Sequence, residues 1–114
     1  MTTSSGFAPG DVVSVEFPFA DGSAAKDRPA LVLAGPNVHS DYTVAMISRE
    51  KQDDGVPIAA GDFASGNLAT ASHVRVRKLY TLSESQVLTK RGTLKSAAVG
   101  RVLAQLCPAI GCKS

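Results

Sequence analysis

Residues 10–35, GDVVSVEFPFADGSAAKDRPALVLAG, constrain the fold of this chain most tightly. They read as two strands joined by a polar loop. On the first strand Val13, Val15, Phe17 and Phe19 point one way, while Val12, Ser14, Glu16 and Pro18 point the other. Pro18 lacks an amide hydrogen and sits best at a strand end or a sheet edge. Residues 20–27 are small, polar or charged, with Gly22 as a hinge, so they belong on the surface. Leu31, Val32 and Leu33 then form an unbroken apolar run, as expected of a strand buried on both faces. Pro29 fixes its own φ and pushes Arg28 toward an extended conformation. The loop therefore delivers one arginine to the start of the second strand.

The β pattern continues down the chain. After a turn at Gly35-Pro36-Asn37 and a loop carrying His39, residues 42–48 (YTVAMIS) read as a third strand. The charged run 49–55 ends it. Residues 56–60 form a short strand that Pro57 places at an edge, and 61–67 read as a loop. Residues 68–72 are ambiguous. In 73–82 the alternation puts Val74 and Val76 inside and His73, Arg75 and Arg77 outside. Residues 83–85 read as a turn or a single helical turn, and 87–94 as a last short strand weakened by Gly92. From Ser96 to Cys107 the period changes: Val99, Val102, Leu103 and Leu106 form the stripe of an amphipathic helix. Ser96 can cap its start, Gly100 can allow close packing on a sheet, and Pro108 and Gly111 end it. The expected fold is mainly β with a C-terminal helix: a small SH3-like barrel of about six short strands, with the helix over one opening. Residues 1–8 read as a flexible tail and 9–114 as a single domain.

Charge is unevenly placed. Residues 1–57 carry a formal charge of −4 and residues 58–114 a charge of +6. A basic half suits a polyanionic partner such as nucleic acid or an acidic peptide, unless the two halves interleave in space. Arg75, Arg77 and Lys78, with Lys90, Arg91 and Lys95, could track a nucleic-acid backbone. The candidate stacking platforms are Tyr42, Tyr80, Phe19 and Phe63. The two cysteines, Cys107 and Cys112, make neither a disulfide scaffold nor a metal site, and read as reduced thiols of a cytoplasmic protein. No apolar run has membrane-spanning length, and the N-terminus lacks the pattern of a signal peptide. No phosphate-cradling glycine loop and no cofactor motif is present.

Arg28 is the strongest candidate for chemistry. Its guanidinium is planar, permanently charged and matched to two phosphate oxygens, although a surface ion pair with Asp27 or Asp21 would use the same residue. The opening Gly10-Asp11-Val12-Val13, then Phe17-Pro18-Phe19, a loop and Arg28-Pro29-Ala30-Leu31-Val32-Leu33 together resemble the MazF/PemK family of toxin endoribonucleases. The resemblance runs from about Pro9 to about Leu106. It implies that Arg28, the arginine of the Arg-Pro pair, is catalytic. It also implies that the hydroxyl of Ser48, in the pair Ile47-Ser48, holds the scissile phosphate. It further implies a metal-independent, sequence-selective cleavage of single-stranded RNA without a cofactor, a homodimer with RNA in an interface groove, and an antitoxin whose acidic, disordered tail competes for that groove. The helix start departs from the family pattern, because Lys95-Ser96-Ala97-Ala98 lacks the usual acids.

The residue that takes a proton stays open at this level. His39 and His73 are the side chains suited to proton exchange near neutral pH, and Glu16 and Asp27 are further candidates. Asp27, His39, His73, Arg75, Arg77 and Lys78 are the expected RNA contacts. Two other readings compete: a non-catalytic binder that keeps the fold, and a gyrase poison of the CcdB type. The second depends on a tryptophan near the C-terminus, and this chain has none.

Overall fold

The computed structural model describes residues 6–17, 26–51, 53, 55–68 and 71–110. Seven strands form one antiparallel sheet in the order β4-β6-β3-β2-β1-β7-β5. They are β1 (Asp11–Phe17), β2 (Lys26–Ala34), β3 (Asp41–Ser48), β4 (Gly55–Ile58), β5 (Phe63–Gly66), β6 (Ser72–Ser83) and β7 (Val87–Leu94). One helix, α1 (Ser96–Ile110), follows. The mainly β fold with a C-terminal helix is as expected, with one strand more than anticipated and a sheet that does not close. The extra strand is β5, in a segment that reads as loop because Phe63 is its one large apolar residue. Most of the loop before Arg28, residues 18–25, lies outside the described residues, as do the side chains of Phe17 and Asp27.

Chain connections show how strongly the sheet curls. Edge strands β4 and β5 stand at opposite ends of the strand order, about 29 Å apart in a flat sheet. They are nonetheless joined by Ala59 and a 3-10 turn at Ala60–Asp62, a link that spans roughly 17 Å at most. The sheet must therefore wrap one of its faces. The wrapped cluster draws Val56 and Ile58 from β4, Phe63 beside β5's start, Val12, Leu31, Ala45, Ile47 and Val74 from the middle, and Ala98, Val102 and Leu106 from α1. At the other end a 3-10 turn, Glu84–Gln86, joins β6 to β7 across three intervening strands. There the opposite face wraps a second cluster of Val13, Val15, Ala30, Val32, Tyr42, Val44, Leu82 and Val87. Because β1 has a core on each side, Val12, Val13 and Val15 are all fully buried. The expected alternation holds, with Val13 and Val15 in one core and Val12 in the other.

Asp11 ties the N-terminal turn to β7. Its carboxylate accepts from the Ala8 amide (2.9 Å) and the Thr93 hydroxyl (2.9 Å), with Lys90 Nζ at 3.6 Å. Phe7, expected in the tail, is docked: its ring meets Tyr42 edge-on at 5.9 Å, and its amide donates to the Tyr42 hydroxyl at 3.2 Å. Tyr42 and Phe63 are core residues and offer no stacking platform. Where β5 meets β7, Gly66 (φ +64°) pairs with Gly92, and a side chain at Gly66 would strike the Arg91 carbonyl. That crossing requires glycine.

The helix differs from expectation in four places. Its N-terminal hydrogen bonds run to the Lys95 carbonyl, so Ser96 is the first helical residue and not the cap. Ala98 replaces Leu103 in the buried stripe, leaving Leu103 44% exposed. Nothing lies within 4 Å of a side chain built at Gly100, so that glycine serves no close packing. Pro108 lies inside the helix, which runs on to Ile110; a proline in the last turn removes one amide bond without stopping the final residues. Cys107 is disulfide-bonded, which corrects the reading of reduced thiols. A low cysteine count excludes a scaffold of bridges but not a single bond. Cys112, the chain's other cysteine, lies outside the described residues.

Candidate functional site

Strand register brings together residues that are far apart in sequence. Arg28 stands opposite Val15 on β1, and Ser48 opposite His73, which in turn faces Pro57 on the edge strand β4. The β2–β3 ladder starts at Ala30 and Met46; two further steps in the same register bring Arg28 level with Ser48. Arg28, Ser48, His73 and Pro57 thus lie in one row across β2, β3, β6 and β4. Directly opposed residues share a face, with Cβ atoms about 4.5–5.5 Å apart. That face also bears the second cluster, through Val15, Ala30 and Met46. The helix packs on the other face. The row is the polar continuation of a core-bearing face, at the end where the described chain leaves it uncovered by helix.

Beside the row, β6 breaks register. Between the pairs Ala45–Leu79 and Ile47–Val74, β3 advances two residues while β6 goes back five. The surplus forms a bulge carrying Arg75, Val76, Arg77 and Lys78. Val76 and Leu79 both join the helix-side cluster although two residues lie between them, so the alternation reverses there. Arg77 and Lys78 are pushed out at the reversal, and both are exposed; Arg75 is half-buried. The bulge bends β6, so that its first half serves one core and its second half the other. Arg75, two residues after His73 on the same strand, lies beside the Arg28–Ser48–His73 row, and Arg77 and Lys78 follow it in the bulge.

Ser48 keeps a donor available. Its Oγ accepts the Glu50 amide at 3.1 Å, which fixes the side chain at the strand end. A hydroxyl that accepts one bond still has its own hydrogen to give. His73 is half-buried, and its Nδ1 is buried without any hydrogen-bond partner. Arg28 is exposed.

The remaining expected residues divide clearly. Asp27 is opposite Glu16 in the backbone ladder. His39 lies in the turn before β3, where its amide donates to Asn37 Oδ1 at 2.8 Å. Seven strand steps, roughly 23 Å, then separate Asp41 from Ser48, so His39 is remote from the row. Arg91 donates to Ser14 Oγ at 3.0 Å, and Lys90 pairs with Asp11, which gives both a role in holding β7 to β1. Sequence periodicity did not disclose Met46 and Pro57 as the apolar neighbours of the row, because only strand pairing brings them there. Among the described residues, no three His, Cys, Asp or Glu side chains are grouped to hold a metal ion. No helix among them is long and apolar enough to cross a membrane.

A family signature described as a PemK-like, MazF-like toxin of type II toxin–antitoxin systems matches residues 8–110. Among solved structures, the chain is similar to the Mycobacterium tuberculosis toxin MazF-mt6, at 20% identity and TM-score 0.72, covering 91% of this chain and 99% of that one. It is also similar to a chain of the MazE–MazF structure (Form-III) from Deinococcus radiodurans, at 18% identity and TM-score 0.74, covering 93% and 97%. A third likeness is to an endoribonuclease from a mycobacterial species, at 13% identity and TM-score 0.73, covering 94% and 93%. No match was found among curated protein sequences.

Proposed function

The chain belongs to the PemK-like, MazF-like toxins of type II toxin–antitoxin systems, and from that premise we propose that it is a metal-independent, sequence-selective endoribonuclease acting on single-stranded RNA in the cytoplasm. The observation that carries the proposal is the Arg28–Ser48–His73 row, flanked by the basic bulge of β6. A phosphodiester over Ser48 would receive one neutral donor from Oγ and two parallel charged donors from Arg28. Both act on the charge that grows on the phosphate oxygens when the neighbouring 2′-hydroxyl attacks. The attacking group is part of the substrate, so the products carry a 2′,3′-cyclic phosphate and a 5′-hydroxyl. Arg75, Arg77 and Lys78 hold flanking phosphates without reading sequence. Asp27 beside Arg28, and His39 far along β3, are left to RNA contacts away from the scissile bond.

Two partners belong to this reading. One is a second copy of the chain, whose edge completes an RNA groove. The other is a cognate antitoxin with an acidic, disordered tail that fits the same cations; the MazE–MazF likeness supports it. The test is to incubate purified protein with long RNA in excess chelator and map both ends of each product. Cuts at a short recurring sequence, with cyclic phosphate and 5′-hydroxyl ends, are expected. Cleavage that returns only when magnesium or manganese is added would overturn the mechanism.

A further inference from the structure

We propose that His73 is the general base of this site, accepting the proton of the attacking 2′-hydroxyl; the proposal rests on the ribonuclease reading above. Two independent observations carry it. By register, His73 is the neighbour of Ser48 on the side away from Arg28, so a ribose lying toward β6 from a phosphate held between Ser48 and Arg28 would bring its 2′-hydroxyl to this ring. Its Nδ1, moreover, is buried and unpartnered. An orphaned polar atom is costly, and an unpaired charged donor costs more. The bare nitrogen of a neutral ring is the least costly occupant, and it is an acceptor in want of a donor. No carboxylate or carbonyl holds that nitrogen, so a substrate hydroxyl would be its first partner. His39 cannot substitute, being at the far end of β3.

The step balances as follows. The O2′–P bond forms and the P–O5′ bond breaks, with the 2′ proton passing to the His73 ring. The departing O5′ leaves toward the exposed Arg28 side and takes a proton from water. The imidazolium then returns its proton to solvent. Among the described residues, the charged groups nearest His73 along the strands and their connections are Arg28 on β2, Arg49, Glu50, Lys51 and Asp53 between β3 and β4, and Arg75 on its own strand. Strand β4 presents no titratable side chain to it.

The test measures kcat and KM on a short RNA containing one cut site across pH 5–9, for the parent, His73→Gln and Arg28→Ala. The parent rate should rise with pH across this range, and His73→Gln should flatten that rise. Its kcat should fall about 100-fold, with KM within about threefold, because one proton-transfer group is lost and not a binding contact. A substrate whose leaving oxygen is replaced by sulfur needs no acid, so the His73→Gln defect should persist on it. Restored cleavage there would reassign His73 to the leaving group and overturn the base. A His73→Gln protein with parental kcat and an unchanged pH profile would overturn it as well. Should that variant fail to fold, the parent decides alone, since a parent rate flat from pH 5 to 8 excludes a histidine base. If the parent cuts RNA and Arg28→Ala does not, failure of the His73 results leaves the ribonuclease reading standing. If the parent cuts nothing, both fall.

Discussion

Arg28, in its proposed role, needs little from its own side chain and much from what surrounds it. It is exposed at the start of β2, and it gains its place from Pro29, which holds the backbone extended, and from β1, which pairs with it at Val15. Arg28→Ala should therefore fold like the parent by circular dichroism and lose RNA cleavage by about 100-fold or more, the scale of removing one preorganised donor. Arg28→Lys should recover little, because an ammonium cannot make the planar paired contact. A folded Arg28→Ala that cleaves at the parental rate would mean the phosphate is held elsewhere. Tyr42 makes the converse point. Its sequence context suits a stacking aromatic, yet both its ring and its hydroxyl are committed to Phe7 inside the core.

At the scale of elements, α1 and the 3-10 turn before β5 are joined by one carboxylate. Asp62 accepts the Ala59 amide at 2.9 Å and meets Arg101 at 3.1 Å, while Arg101 also donates to the Pro57 carbonyl at 3.2 Å. The Ala59 amide first, and Arg101 second, hold the Asp62 carboxyl below the usual aspartate range. A carboxyl whose folded value is depressed adds stability that is complete above its unfolded value, and that is lost as pH falls through the folded one. Asp62→Asn should therefore unfold at lower urea than the parent at pH 7, with the gap narrowing as pH drops below about 4. A gap that stays constant to pH 2 would detach Asp62 from helix docking. Gly100 makes the opposite prediction. It is exposed within α1, and an added methyl meets open space. Gly100→Ala should stabilise the protein by about 0.5–1 kcal/mol in urea titration, and any loss of stability would show a contact there.

For the whole molecule, the open sheet leaves β4 and β5 as edges, each four residues long, with Pro57 blunting the first. A chain of 114 residues with two such edges gains by burying them in a twofold interface, and a homodimer is expected in sedimentation at micromolar concentration. A monomer there would remove the shared groove from the proposed function. The sequence by itself determined the composition of the elements: alternating runs became strands and the one helical stripe became α1, while Arg28 and Ser48 were singled out by the family resemblance that their Arg-Pro and Ile-Ser pairs carry. It could do this because those signals are local, each set by the period of its own backbone. It did not determine which strand meets which. That His73 faces Ser48, that β6 reverses its alternation between Val76 and Leu79, and that Met46 and Pro57 neighbour the row follow from one sheet curling around two cores on opposite faces. Register is fixed by packing between residues distant in the chain, and a period of two repeats identically at every possible pairing. Arg28 and Ser48 were therefore legible as residues, but the row that joins them to His73 exists only in the folded sheet.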